Sequence, residues 1–286
     1  MHTIILDTDI GSDVDDALAL AAVLGSESVN LLGITTVYGD TKLRARIAHH
    51  LCHIANKSIP VFAGVETPLS GRKVWSTGSE GKAFSNLNQY ALEDRRAVEF
   101  LVEAVNQNPG EIEVIAIGPL SNIATAIMQA PNFAKNVKHL WIMGGDFTKE
   151  KIEHNFKCDI TAAKIVLESE ISITILDLPC SQKTIIKKDE IEQIKSSGKL
   201  GPILHTEILN WIQPRHQDWT TPHDPIAVLA MLEPEFFDFS EIGSVQISED
   251  GKSDWRLNED GNVKRVSPSK PLEAVSAMIS LIAKVN

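Results

Sequence analysis

The amino-acid sequence predicts an α/β protein built on an open, mostly parallel sheet flanked by helices. Apolar, β-branched runs of strand length alternate with helical patterns along most of the chain. That alternation is typical of a parallel sheet whose helices cover both faces. The part from about residue 181 onward reads as more helical and is expected to cap the sheet. Because there is no repeat, low-complexity tract or linker, we expect a single domain over residues 1–286.

The elements follow one another in a regular order. Predicted strands, rich in isoleucine, leucine and valine, cover residues 3–6, 31–37, 60–64, 112–117, 139–143 and 173–178. Predicted helices cover residues 17–24, 42–55, 91–107, 122–130, 160–169 and 226–230. Residues 65–90 are rich in Gly, Ser, Thr and Asn and read as a long loop. Loops of that length in compact domains are often functional lids.

Composition and charge exclude several classes of partner. The formal net charge of -11 argues against nucleic acid, because a phosphate backbone requires a basic surface. No stretch is long enough for a membrane span, and the N-terminus lacks a signal-peptide pattern. The chain has 3 cysteines, far apart and without a CxxC pair, which favours buried thiols in a reducing compartment. We therefore expect a cytoplasmic protein with a small-molecule ligand.

The most informative local feature is a run of aspartates between the first strand and the first helix. Residues 7–16 contain five of them, namely Asp7, Asp9, Asp13, Asp15 and Asp16. Carboxylates held so close repel one another unless a cation or protons neutralise them. Oxygen ligands of this kind suit Ca²⁺ or Mg²⁺. The turn is therefore a candidate metal-centred active site.

Two other interpretations of this run stay open at the level of the residues. Asp13 fits a helix N-cap, and Asp15 and Asp16 fit the first turn of a helix, where the helix dipole favours negative charge. Capping leaves Asp7 and Asp9 at the strand end unexplained, since acids are poor strand formers. Asp7-Thr8-Asp9 also resembles the haloacid-dehalogenase phosphatases, which use Mg²⁺. Against that, the motif runs on into Asp15-Asp16-Ala17.

Further polar motifs follow the later strands, where ligands bind in open α/β sheets. The set comprises Asp-Thr-Asp-Ile-Gly at 7–11, Asp-Asp-Ala at 15–17, Gly-Pro-Leu-Ser-Asn at 118–122, Met-Gly-Gly at 143–145, Glu-His-Asn at 153–155 and His-Asp-Pro at 223–225. In this order, they resemble the motifs of the nucleoside hydrolases, the inosine–uridine-preferring nucleoside N-ribohydrolases. The resemblance runs from residue 3 to about residue 230.

The resemblance implies a Ca²⁺-dependent enzyme that cleaves the N-glycosidic bond of ribonucleosides and releases ribose and a free purine or pyrimidine base. The implied metal ligands are Asp9, Asp16, the carbonyl of Ile117 and Asp224. The implied ribose-binding residues are Asp15, Glu153 and Asn155. Asp9 is the implied general base, and His223 the implied proton donor to the departing base. Members of the family are commonly homodimers or homotetramers.

Several positions depart from the family's pattern. The aspartate loop is two residues longer than the short Gly-x-Asp-Asp form, which leaves Asp13 as either an N-cap or a metal ligand. Asp40 stands where many members have a ribose-binding asparagine. Between Gly145 and Glu153 the chain lacks a further ribose-binding asparagine, which leaves two alternatives: Asp146 replaces that contact, or the contact is absent. These changes motivate a third alternative, a metal- and ribose-binding protein without turnover.

The base-binding side is harder to interpret. His154 stands where many members carry an aromatic residue, and the lid has no histidine at Ser79, where one often occurs. Trp75 remains as a candidate stacking partner for the base. Trp211, Arg215, His216, Trp219 and Trp255 are each candidates for the pocket, with core packing or a surface position favoured for any one of them. The preferred base is not predicted.

Overall fold

A computed structural model describes residues 1–75, 80–82 and 84–286. Six parallel strands form the first part of its sheet: β1 (His2–Thr8), β2 (Val29–Thr36), β3 (Val61–Ala63), β4 (Ile112–Ala116), β5 (His139–Met143) and β6 (Ile173–Leu176). They lie side by side in the order β3-β2-β1-β4-β5-β6. All neighbouring pairs are parallel, which confirms the predicted sheet type.

Four strands that the sequence did not reveal complete the sheet: β7 (Phe237–Phe239), β8 (Gly243–Ile247), β9 (Ser253–Leu257) and β10 (Val263–Pro268). β10 joins β6 in parallel and pairs with β7 and β8 in antiparallel fashion. β9 pairs with β8 and ends the described sheet. The region after residue 181 therefore contains an antiparallel extension as well as the expected helices.

The helices lie on both faces of the sheet. They are α1 (Asp15–Gly25), α2 (Thr41–Ile54), α3 (Ala97–Gln107), α4 (Ser121–Gln129), α5 (Phe133–Asn136), α6 (His154–Cys158), α7 (Ile160–Leu167), α8 (Leu178–Ser181), α9 (Lys188–Lys195), α10 (Gly201–Ile212), α11 (His223–Leu232) and α12 (Pro271–Ala283). Side chains of β1 alternate between two cores. Ile4 and Leu6 pack with α1, α11 and α12, whereas Ile5 packs with α3, α4 and α7.

Helix α1 is held rigidly in the middle of the first core. All of its residues are buried, because α2, α11 and α12 surround it. At its C-terminal end, a Cβ atom on Gly25 would lie 1.8 Å from the carbonyl oxygen of Leu281, so only glycine permits this approach to α12. At its N-terminal end, the first turn carries Asp15 and Asp16. The packing of the helix therefore fixes where these two carboxylates lie.

The cysteines and the apolar character of the helices were both considered from composition. The thiols of Cys52, Cys158 and Cys180 are all free and buried, as predicted. In the described ranges, no helix has both the length and the apolar character required to cross a membrane.

Candidate active site

A cavity of about 360 Å³ lies at the carboxyl ends of β1, β4 and β5. This is the position at which open α/β sheets bind ligands. The side chains and carbonyls that sequence reasoning selected meet there: Asp9, Asp15, Asp16, Trp75, Ile117, Glu153, Asn155, His223 and Asp224 all line it. Asp13, His154, Lys151, Trp211 and Arg215 line it as well. The cavity thus combines one strongly acidic wall with aromatic and basic groups.

The aspartate loop owes its shape to Gly11, whose φ is +107°. A Cβ at this position would strain the backbone and would lie 2.6 Å from Ile47 Cδ1, so that methyl group would have to move. Beyond the turn, the N-cap position of α1 is Val14, not Asp13. The carboxylate of Asp13 makes only a long bond of 3.4 Å from the backbone N–H of Asp15. The capping interpretation of Asp13 is therefore wrong.

Asp13 instead joins the acidic wall. Carboxylate oxygens of Asp13, Asp15 and Asp16 all lie within 4.8 Å of one another, the spacing expected of groups that could share a metal ion. One oxygen of Asp16 also accepts a short hydrogen bond from the hydroxyl of Thr8 at the end of β1. The two extra residues of the loop therefore bring an additional carboxylate to the cluster.

Burial makes this cluster electrostatically costly. It raises the pKa of Asp9, and it raises the pKa values of Asp15, Asp16 and Asp224 well above the usual range. Repulsion among the neighbouring carboxylates adds to the effect. A divalent cation would relieve both penalties, and a set of oxygen donors suits a hard ion. The residues present therefore fit a bound metal ion of this class.

Asn155 lines the cavity where β4 and β5 end. Its Nδ2 donates hydrogen bonds to the carbonyl oxygens of Ile117, at 3.0 Å, and Met143, at 3.1 Å. Both amide protons are thus used, and Oδ1 is left as an acceptor for a ligand hydroxyl. The Ile117 carbonyl keeps a second lone pair, so the hydrogen bond is compatible with its predicted role on a cation.

Glu153 is held by the backbone around it. Its carboxylate caps helix α6 by accepting from the N–H groups of Asn155, at 2.7 Å, and Phe156, at 3.1 Å. A third bond of 2.9 Å comes from the N–H of Gly145, after β5. A carboxylate offers about four acceptor positions. One therefore remains for a ligand hydroxyl, in a fixed orientation.

His223 and Asp224 enter the cavity from the first turn of α11. His223 Nδ1 lies 2.7 Å from the hydroxyl of Ser181, and that hydroxyl lies 2.9 Å from the carbonyl oxygen of Leu178. A hydroxyl has one proton, so if it donates to Leu178 it accepts from the Nδ1–H of His223. This arrangement leaves Nε2 of the imidazole for a ligand. Burial lowers the pKa of His223, and the charge of Asp13 opposes the shift.

Aromatic and basic groups lie at the mouth of the cavity. Trp75 is 46% exposed, and its ring meets the edge of the His154 ring at a centroid distance of 4.8 Å. The guanidinium of Arg215 stacks on Trp211 at 3.3 Å. Trp219 lines an adjoining cavity. Trp255 instead packs against the core, with its indole N–H donating to the Val263 carbonyl. Three of the five uncertain candidates thus lie in or beside the pocket.

One predicted residue, Asp40, does not line the cavity. Asp40 is exposed and outside the cavity, because its carboxylate caps helix α2 by accepting from the N–H of Leu43 at 2.9 Å. In this structure Asp40 therefore acts as a helix cap, and its binding of ribose stays a prediction. Ser79, where the lid lacks a histidine, lies outside the described residues.

Asp159 anchors the loop that leads to Trp75. Its buried carboxylate accepts from the N–H groups of Leu69, at 2.7 Å, and Ser70, at 3.0 Å. It also accepts from the Ser121 hydroxyl at 2.6 Å and from the N–H of Ala162 at 3.1 Å. One side chain therefore ties the loop to helices α4 and α7.

Replacing Asp159 with alanine is expected to lower the free energy of unfolding by about 3 kcal/mol or more, because four donors, those of Ser121 and Ala162 among them buried, lose their acceptor. Urea denaturation followed by circular dichroism would measure it. Asp250→Ala removes an exposed acid in a surface turn and is the control. A loss below about 1 kcal/mol for Asp159→Ala would contradict this role.

Comparisons with known proteins agree with this geometry. A family model described as inosine-uridine preferring nucleoside hydrolase matches residues 4–272. The chain belongs to this nucleoside hydrolase family. A rice protein (Oryza sativa subsp. japonica) named probable uridine nucleosidase 2 is 31% identical over 94% of this chain and 85% of its own length. The pyrimidine-specific ribonucleoside hydrolase RihB of Escherichia coli O1:K1 / APEC is 29% identical over 73% of this chain and 69% of its own.

Solved structures share the nucleoside hydrolase fold. A plant nucleoside hydrolase, the PpNRh1 enzyme, has a TM-score of 0.88 with 24% identity and covers 99% of both chains. A purine-preferring ribonucleoside hydrolase from Gardnerella vaginalis has a TM-score of 0.87 with 24% identity, over 99% of this chain and 100% of that one. Family membership replaces the haloacid-dehalogenase interpretation of the first aspartates.

Sequence reasoning missed two residues that shape this nucleoside hydrolase site. Ser181 holds His223, and Arg44 binds the back of the aspartate loop. Neither belongs to a motif, and their partners are distant in sequence. A buried carboxylate cluster requires positive charge nearby, so a search for a buried arginine that balances it could have found Arg44.

Proposed function

We propose that this nucleoside hydrolase cleaves the N-glycosidic bond of ribonucleosides in a Ca²⁺-dependent reaction that releases ribose and the free base. One observation carries the proposal, the convergence in a single cavity of Asp9, Asp15, Asp16, Glu153, Asn155, His223 and Asp224. The cavity thus joins a cation-binding wall to groups that suit ribose hydroxyls and a departing base. Family membership supports the same reaction.

The proposed Ca²⁺ ligands are the carboxylates of Asp9, Asp16 and Asp224 and the carbonyl of Ile117. Asp13 is an additional candidate, because one of its carboxylate oxygens lies within 4.8 Å of one oxygen of Asp15 and one of Asp16. When bound, the ion would supply a positive charge that attracts hydroxyl oxygens of the ribose and would make a water molecule more acidic. Asp15, Asn155 and Glu153 then bind the sugar hydroxyls.

The protein's own groups account for the proton transfers. Asp9 accepts a proton from the attacking water, whose oxygen forms a new bond to the anomeric carbon. The bond from that carbon to the base nitrogen breaks, and the nitrogen keeps the electron pair. The ribose passes through an oxocarbenium-like state, whose positive charge is stabilised by the surrounding carboxylates. His223 donates a proton to the departing base, which leaves as a neutral molecule.

Base release from a panel of purine and pyrimidine ribonucleosides tests the proposal. Uridine is the first substrate to try, because the rice relative is named for it. We expect release in the presence of Ca²⁺, its loss after chelation and its recovery when Ca²⁺ is returned. Chromatography of the free base and a reducing-sugar assay give independent readouts.

Absence of release from every nucleoside, with Ca²⁺ present, would contradict the proposal. Calorimetric binding of a nucleoside without base release over hours would instead identify a binding protein without turnover. A single domain over residues 1–286, a homodimer or homotetramer and a cytoplasmic location stay predictions; sedimentation velocity would measure the oligomeric state.

A further inference from the structure

A buried arginine lies directly behind the aspartate loop. Arg44 extends from the first turn of α2 and is 2% exposed. Arginine is almost never fully buried unless its charge and its donors are satisfied. The partners of this side chain therefore indicate why it is there.

Those partners are the backbone and one side chain of the loop itself. Nη1 donates to the carbonyl oxygens of Asp9 and Ile10, the second at 2.9 Å. Nη2 donates to the hydroxyl of Ser12 at 3.0 Å. Nε donates to the carbonyl of Tyr38, after β2, at 2.8 Å. The planar, fork-shaped guanidinium thus holds the first half of the loop, residues 9–12, against the end of the neighbouring strand β2.

The charge of Arg44 is balanced by nearby carboxylates. A carboxylate oxygen of Glu80 lies 3.7 Å from Nη2, within ion-pair distance. The guanidinium also acts through space on Asp9 and Asp16, where it opposes the rise in pKa that burial causes. A fixed positive charge therefore offsets part of the repulsion among the carboxylates.

We propose that Arg44 is the positioning residue of the metal site: it holds the lengthened aspartate loop so that the carboxylates of its two halves converge on one cation. Asp9 lies in the half that Arg44 binds, and Asp13, Asp15 and Asp16 lie in the other half. The two additional residues in this loop would otherwise let the halves move apart. The inference rests on the proposed function, since it concerns the same cation.

Lysine cannot replace this geometry. A lysine ammonium would keep the positive charge, but it lacks the rigid fork that reaches several acceptors on different segments. Arg44→Lys therefore separates positioning from charge. Ser12→Ala removes a single acceptor of the fork and disturbs the core less, because Ser12 is only half-buried. Lys42→Met, at an exposed position on the same helix, is the matched control.

The experiment measures Ca²⁺ affinity by calorimetry on chelator-treated protein, with urea denaturation as the measure of folding. We expect Arg44→Lys to weaken Ca²⁺ binding about tenfold or more, the cost usual for residues that orient metal ligands. Ser12→Ala should weaken Ca²⁺ binding about threefold, since the loss of an indirect contact lowers affinity less than the loss of a metal ligand. Lys42→Met, the control, should leave the affinity unchanged within about twofold. Activity of Arg44→Lys should recover at saturating Ca²⁺. Because Ca²⁺ binding itself stabilises the folded state, urea denaturation of the chelator-treated variant distinguishes weaker binding from a general loss of stability.

Wild-type affinity in a folded Arg44→Lys protein would overturn the assignment. If that variant does not fold, Ser12→Ala decides, and an unchanged affinity there overturns it equally. If the wild-type protein itself binds no Ca²⁺, the calcium dependence in the proposed function fails and takes this inference with it. Wild-type binding with unaffected variants removes the role of Arg44 alone.

Discussion

Replacing Asp9 with alanine is expected to lower kcat for nucleoside hydrolysis by about 10⁴-fold, the upper end of what a general base contributes. The same change should weaken Ca²⁺ binding, because Asp9 is proposed both to bind the cation and to accept the proton of the attacking water. Its buried carboxylate lines the same cavity as Asp16 and Asp224. Steady-state kinetics and calorimetry measure the two effects separately.

Asp9→Asn refines the result, since the amide keeps an oxygen donor but cannot accept the proton. We expect this variant to retain more Ca²⁺ affinity than Asp9→Ala while losing comparable activity. Asp189→Ala, an exposed acid in the first turn of α9, is the control for the removal of one negative charge. Undiminished Ca²⁺ affinity in Asp9→Ala would show that the ligand assignment is wrong.

The fold and the acidic half of the site followed from short-range patterns. Strand-length apolar runs specify parallel strands, and residues directly after such strands must lie at one edge of the sheet. That rule placed Asp9 and Ile117 near one another although they are far apart along the chain, and the family resemblance added Glu153; the structure brings all three into one cavity. Topology, more than any single motif, made the prediction possible.

Asp40 shows where the same reasoning fails. A carboxylate between a strand end and a helix start satisfies the pattern of a ligand and the pattern of a cap equally well. The outcome depends on side-chain direction, and Asp40 turns towards the N–H of Leu43. Asp13 had the same two possible roles, helix cap or site carboxylate. It joins the site, because Val14 occupies the N-cap position.

Long-range contacts were out of reach for a different reason. Arg44 and Ser181 act on groups 34 and 42 residues away, and such pairs leave no local signal. The strands β7 to β10 were missed because they are short and half-exposed. Polar and charged residues interrupt their apolar pattern, as in Ser253–Leu257 and Val263–Pro268.

Removing the imidazole of His223 should produce a loss that depends on the leaving group. For uridine or inosine, His223→Ala is expected to lower kcat about 10²- to 10³-fold, the usual contribution of a general acid. Ca²⁺ affinity should be retained, since the neighbouring Asp224 is the proposed ligand. A riboside of 4-nitrophenol needs no proton on departure, so its hydrolysis should be nearly unaffected. The ratio of the two rates therefore reports proton donation alone.

Ser181→Ala should shift the same ratio in the same direction but less, because the hydroxyl lies 2.7 Å from the imidazole Nδ1 and Ser181 itself does not line the cavity. Ser181→Thr keeps the hydroxyl and should restore the ratio. An equal loss on both substrates in His223→Ala would contradict proton donation and would point instead to a role in binding. A preserved ratio in Ser181→Ala would mean that α11 alone orients the imidazole, because the helix fixes the backbone of His223 independently of the hydroxyl.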